Sequence, residues 1–94
     1  MNIYYGKRDE LYEKEYGKIK STNSPLITAK DYIEGIKWIR KDIKDRGFDS
    51  PYMNISFSQE DDFVEIDFGS WSYFYCLNDL TDKDWSEFFG DSEE

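Results

Sequence analysis

The apolar residues of this chain change period once, from that of a helix to that of a strand, and any fold must satisfy both. Tyr32, Ile36, Ile39 and Ile43 recur at i, i+4, i+7 and i+11, one narrow stripe of a helix. From Met53 onward the period is two. Met53, Ile55 and Phe57 alternate with Asn54, Ser56 and Ser58, Val64, Ile66 and Phe68 alternate with Glu65 and Asp67, and Trp71, Tyr73, Tyr75 and Leu77 continue the series. Such alternation gathers the apolar set on one sheet face. A one-striped helix and a one-faced sheet cover each other. The expected class is therefore α+β: a three- to four-stranded antiparallel sheet packed on one main helix, with a short C-terminal helix.

Local signals set the expected boundaries. The main helix is placed at 28–46, with Thr28 as N-cap and Asp31 three residues on in a capping-box arrangement. Ile27 and Tyr32 take the staple positions, and Gly47 with Phe48 supplies a Schellman ending. The meander spans 52–77. A tight turn at Glu60-Asp61 pairs Phe57 with Val64, Ile55 with Ile66 and Met53 with Phe68. A two-residue loop at Gly69-Ser70 pairs Phe68 with Trp71, Ile66 with Tyr73 and Val64 with Tyr75. The opposite face then carries Asn54, Ser56, Ser58, Phe63, Glu65, Asp67, Ser72, Phe74 and Cys76 and is expected to be at least partly solvated.

The ends are read the same way. Thr81 is an N-cap with Asp84 at N3, opening a helix over 82–89 that must dock Trp85, Phe88 and Phe89, either on the Phe74–Cys76 patch or on a partner. The acidic tail 91–94 is expected to fray. Within 1–25, Ile3-Tyr4-Tyr5 reads as a short strand, Arg8 to Lys20 as a weak helix, and the residues up to Pro25 as a loop.

At 94 residues the chain is expected to form one domain, 1–94, whose core its 19% aromatic content can fill. Charge divides it in two. Residues 1–47 carry a net +3, residues 48–94 a net −12 with Lys83 as their single base, and the whole chain carries −9. An acidic half interleaved with aromatics repels nucleic acid and attracts basic protein surfaces. The basic row Lys30, Lys37, Lys41 and Lys44 runs beside Asp31, Glu34, Asp42 and Asp45, which offset it. A single Cys excludes an internal disulfide, and no apolar run is long enough to span a bilayer. The expectation is a cytoplasmic protein without direct contact to nucleic acid or membrane.

Catalytic chemistry is sparse. There is no His, which removes His-based triads and His metal sites. Cys76 lies inside a predicted strand and reads as a small hydrophobe. Glu65 and Asp67 share a sheet face about 7 Å apart, a spacing open to acid/base or metal work as well as to plain solvation. Asp79, Asp82 and Asp84 echo a calcium loop without its Gly and terminal Glu, so capping explains them better. No enzyme activity, cofactor, metal or catalytic residue is expected.

What remains is recognition of a protein. The candidate partner-binding residues are Glu60, Asp61, Asp62, Glu65, Asp67, Asp79, Asp82, Asp84 and Glu87, with Trp38 and Phe74 as aromatic anchors. Trp38 lies off the apolar stripe and is either an exposed anchor or packed under the N-terminal segment. In size, acidity, lack of catalytic residues and helix-plus-meander pattern, the chain resembles small acidic inhibitors of phages and mobile elements, anti-CRISPR proteins among them. It is similar in the same respects to the immunity proteins of bacterial toxins. The resemblance is one of overall character and transfers no residue. It implies an inhibitor that blocks a basic, nucleic-acid-binding partner, either a Cas effector, with carboxylates imitating phosphates, or a toxin nuclease. An interaction or assembly module is the alternative, and the oligomeric state stays open.

Overall fold

A computed structural model of the chain describes residues 1–13, 19–20, 22–48, 53–70 and 72–92. Its elements in order are β1 (Asn2–Lys7), α1 (Arg8–Leu11), β2 (Ile27–Thr28), α2 (Tyr32–Asp45), β3 (Asn54–Ser58), β4 (Phe63–Asp67), β5 (Tyr73–Asn78) and α3 (Asp82–Ser92). The five strands form one antiparallel sheet in the order β2-β1-β5-β4-β3. The α+β class holds, with more strands than the sequence predicts.

The strand beyond the expected four is β2, and the short strand expected at Ile3-Tyr4-Tyr5 is present and longer, as β1. Ile3 points into the main core while Tyr4 points into a smaller cluster behind the sheet. Such a segment is apolar on both sides and fits between two strands. β1 accordingly pairs with β5 along its whole length, Asn2 with Asn78 through Lys7 with Tyr73, and with β2 on its other side.

The main core lies between the sheet and the two longer helices. Tyr32, Ile36, Ile39 and Ile43 of α2 meet Ile3, Val64, Ile66, Tyr75 and Leu77 of the sheet, and Trp85 and Phe88 of α3 close one side. The C-terminal helix therefore docks on this face, not on the Phe74–Cys76 patch. The second face is partly solvated, as expected, along β3, where Asn54 and Ser56 are exposed. Its centre is covered, because Leu11, Tyr12 and Ile19 lie over Tyr4, Phe63 and Cys76. The weak helix over Arg8 to Lys20 is corrected too. Among the described residues of that span only α1 is helical, Tyr12 is extended, and Tyr12 bridges back to Ile19. Two apolar residues on a returning segment cover a flat patch that one stripe of a short helix would span poorly. Residues 14–18 lie outside the described residues.

The predicted helix start is also wrong. Ile27 and Thr28 are drawn into β2 opposite Ile3 and Asn2, with the Thr28 hydroxyl donating to Asn2 Oδ1. Asp31 is the N-cap, accepting from the Glu34 N–H at 2.9 Å. The other end follows the sequence. Gly47 has φ +95°, its N–H reaches Lys44 O, and the Phe48 N–H reaches Ile43 O. These two bonds are the Schellman pattern, and Phe48 stacks edge-on against Phe68 at 5.0 Å, which ties the helix ending to the sheet.

In the meander, β3 pairs with β4 in the predicted register, Ile55 with Ile66 and Phe57 with Val64. The β4–β5 register differs by two residues, with Val64 opposite Leu77 and Ile66 opposite Tyr75. A two-residue shift keeps every side chain on its predicted face. Its cause is a wider turn. Asp67 accepts from the Gly69 N–H, Gly69 takes φ +94°, and Ser70 Oγ accepts from the Tyr73 N–H. Trp71 and Tyr52 lie outside the described residues. At the C-terminus α3 runs through Asp91 to Ser92, and Glu93 and Glu94 lie outside the described residues.

Candidate protein-interaction surface

The acidic half is one population by charge and several by position. Two of its carboxylates are interior. Glu65 is 5% exposed and Asp84 2% exposed. Glu65 projects into the second-face cluster, where Arg8 donates to its Oε2 at 3.1 Å. That corrects the expectation of a solvated Glu65–Asp67 face. Covering the face buries Glu65, and Arg8 supplies the opposite charge that a buried carboxylate needs. Asp84 closes the predicted capping box, its Oδ2 accepting from the Thr81 N–H while Thr81 Oγ1 accepts from the Asp84 N–H. Its Oδ1 also accepts from the Tyr32 N–H, the first of α2. One carboxylate thus serves the N-termini of two helices. Asp84 is a joint of the fold and not a contact for a partner.

Asp62 is the hinge pin of the exposed acidic region. Its φ is +56°, and its two carboxylate oxygens accept from the backbone N–H groups of Asp79 and Leu80 at 3.0 and 3.1 Å. This clamp ties the β3–β4 turn to the β5–α3 loop. The exposed side chains of Glu60 and Asp61 belong to the first loop, and those of Asp79 and Asp82 flank the second. Ser58 and Asp61 further brace the turn through reciprocal hydrogen bonds. These four exposed carboxylates are thereby held at one end of the sheet. Asp67, at the other end of β4, and Glu87, on α3, are half-buried.

The aromatic anchors are redistributed as well. Trp38 is half-buried against the main core, and Phe74 is half-buried with the Arg8 guanidinium 4.9 Å above its ring. The exposed apolar surface lies elsewhere. Ile55 is 37% exposed, Phe57 48% and Phe89 36%. Phe57 packs against Phe88 at 5.0 Å and Phe89 at 5.5 Å, and it remains the most exposed large apolar residue of the sheet. Period-two reasoning assigned Ile55 and Phe57 to the core. They do lie on the core face, but β3 is the edge strand and α3 covers it only in part. No sequence signal marked this edge, since Asn-Ile-Ser-Phe-Ser carries neither the charge nor the Pro that usually protects one.

The interior chemistry is quiet. Burial raises the Cys76 thiol to about 12, with the Glu65 charge adding to the shift and the Tyr12 hydroxyl opposing it. Burial, helped by Cys76 and Glu65 beside it, also raises the Tyr12 hydroxyl. A thiol so protonated and enclosed is a poor nucleophile at neutral pH. Among the described residues, no group of three His, Cys, Asp or Glu side chains could hold a metal ion, and no helix is long and apolar enough to cross a membrane. No protein-family model matches the chain, and neither a curated protein nor a solved structure does.

Proposed function

We propose that this chain is a non-catalytic acidic inhibitor that binds the cationic, nucleic-acid-binding surface of another protein. The observation that carries the reading is the clamped acidic end. Glu60, Asp61 and Asp79 are exposed on two loops that the Asp62 carboxylate ties together, and the exposed Asp82 opens α3 beside them. Fixed carboxylates on a rigid scaffold need little reordering on binding, and complementary charge accelerates encounter, which an inhibitor requires. The net −12 of residues 48–94 makes a basic partner the favourable one. A Cas effector at its DNA- or guide-binding surface is the first partner class and a toxin nuclease the second.

The test is affinity capture of partners from lysate on the immobilised chain, eluted by rising salt, followed by competition with nucleic acid. The reading expects a nucleic-acid-binding protein released by salt, whose nucleic-acid binding falls when the chain is added. A salt-resistant partner without affinity for nucleic acid would overturn it. The exposed edge of β3 favours a second reading, an assembly module, for which mass would rise with protein concentration.

A further inference from the structure

Natural sheets protect their edges with Lys, Pro, bulges or covering elements. The edge at β3 has no Lys, Pro or bulge among the described residues, and α3 covers its inner face only in part. β3 pairs only with β4, is regular over all five of its residues, and bears no charge. Its outer backbone groups are a template for one more strand. Beside them Ile55, Phe57 and Phe89 form an exposed apolar strip on the face that α3 leaves partly open.

Charge selects the occupant. Glu60 and Asp61 stand beyond one end of β3, and Asp67 lies opposite Asn54 at the other. A second copy paired antiparallel about Ser56 would bring Glu60 and Asp61 of each chain towards Asp67 of its mate. Gathering like charges at both ends opposes that dimer. A strand with basic ends meets the same acids favourably. We infer that β3 is a docking edge for an extended segment of a basic partner, added as a sixth antiparallel strand. Alternate apolar side chains of that segment cover Ile55 and Phe57, and Lys or Arg at its ends meet Glu60, Asp61 and Asp67. The inference rests on the proposed cationic partner and specifies how that partner is held.

The probe is a synthetic peptide, Lys-Lys-Thr-Val-Thr-Ile-Thr-Lys-Lys, compared with the same peptide carrying Thr in place of every Lys. Amide hydrogen exchange of the full chain is followed by NMR. The Lys-flanked peptide should bind saturably and slow exchange across Asn54–Ser58, with an affinity about tenfold above the uncharged peptide at low salt. Phe57→Lys should abolish this protection. Ser56→Lys, which leaves the Phe57 packing in place, should weaken it.

Three results would overturn the inference. Unchanged exchange of the β3 amides with either peptide removes the docking edge, while salt-released capture of a basic protein would leave the proposed function standing. Equal affinity for the two peptides removes the charge selection, and the cationic partner with it. Protection of β3 without peptide, accompanied by a doubling of mass, assigns the edge to a second copy.

Discussion

Asp84→Ala should be among the most damaging single substitutions in this chain, although its local sequence reads as an ordinary cap. The side chain accepts two backbone hydrogen bonds, from Tyr32 at 3.0 Å and from Thr81 at 2.9 Å, in a site 2% exposed. Hydrogen bonds to a charged group are worth roughly 1.5–3 kcal/mol each, and the buried Tyr32 N–H would be left without its acceptor. The expected loss is about 3–5 kcal/mol. A domain of 94 residues has about 5–14 kcal/mol in total, so the variant approaches the unfolding threshold. At about 4–8 °C per kcal/mol, Tm should fall by roughly 12–40 °C. Asp84→Asn keeps one acceptor oxygen and should lose about half as much. Asp82→Ala, at an exposed position two residues earlier, should stay within about 0.5 kcal/mol. Urea unfolding followed by circular dichroism measures all three. A loss below about 1 kcal/mol for Asp84→Ala, or parity with Asp82→Ala, would refute the two-helix joint.

Other perturbations probe the second face, the helix ending and the interface. Glu65→Lys should destabilise strongly, because it places a second cation beside Arg8 within the covered cluster; a Tm equal to that of the parent would return Glu65 to the surface. The Cys76 thiol has a folded pKa of about 12 against an ordinary 9.0, so its uncharged form is favoured by the fold. Its stabilisation is complete below 9.0 and is lost as pH rises towards about 12, each unit costing up to about 1.4 kcal/mol. Unfolding free energy should therefore fall less steeply over that window in Cys76→Ala, and parallel profiles would count against the assignment. Gly47→Ala should cost about 1 kcal/mol in urea unfolding, because φ +95° is strained for any residue with a Cβ. Reversing Glu60 and Asp61 to Lys should leave Tm nearly unchanged and slow association with the captured partner, measured by surface plasmon resonance at low salt. An unaltered association rate would remove the acidic end from the interface.

Much of the architecture was legible because it rests on short-range physics. The i, i+4, i+7 stripe, the Gly47–Phe48 ending, the Thr81–Asp84 box and the β3–β4 register each depend on residues close in sequence, where periodicity and capping act directly. Errors arose where distant segments compete for the same backbone. Thr28 is a fair N-cap in isolation, but Ile3 and Asn2 recruit it and Ile27 into a strand. The candidate site was only half legible. The sequence supplied the carboxylates, but not which of them were interior.

The sequence by itself determined an α+β chain with one amphipathic helix, an alternating meander and an acidic second half, since period, cap and charge are local properties. Only the tertiary structure decided that β1 enters the sheet beside β5, that Tyr4, Phe63 and Cys76 on the second face are covered, and that β3 is left at the edge. Those choices depend on which surfaces bury each other across dozens of residues. They divide the acids into Glu65 and Asp84, which hold the fold, and Glu60, Asp61, Asp79 and Asp82, which face solvent. Charge is written residue by residue, but exposure is a property of the packed whole.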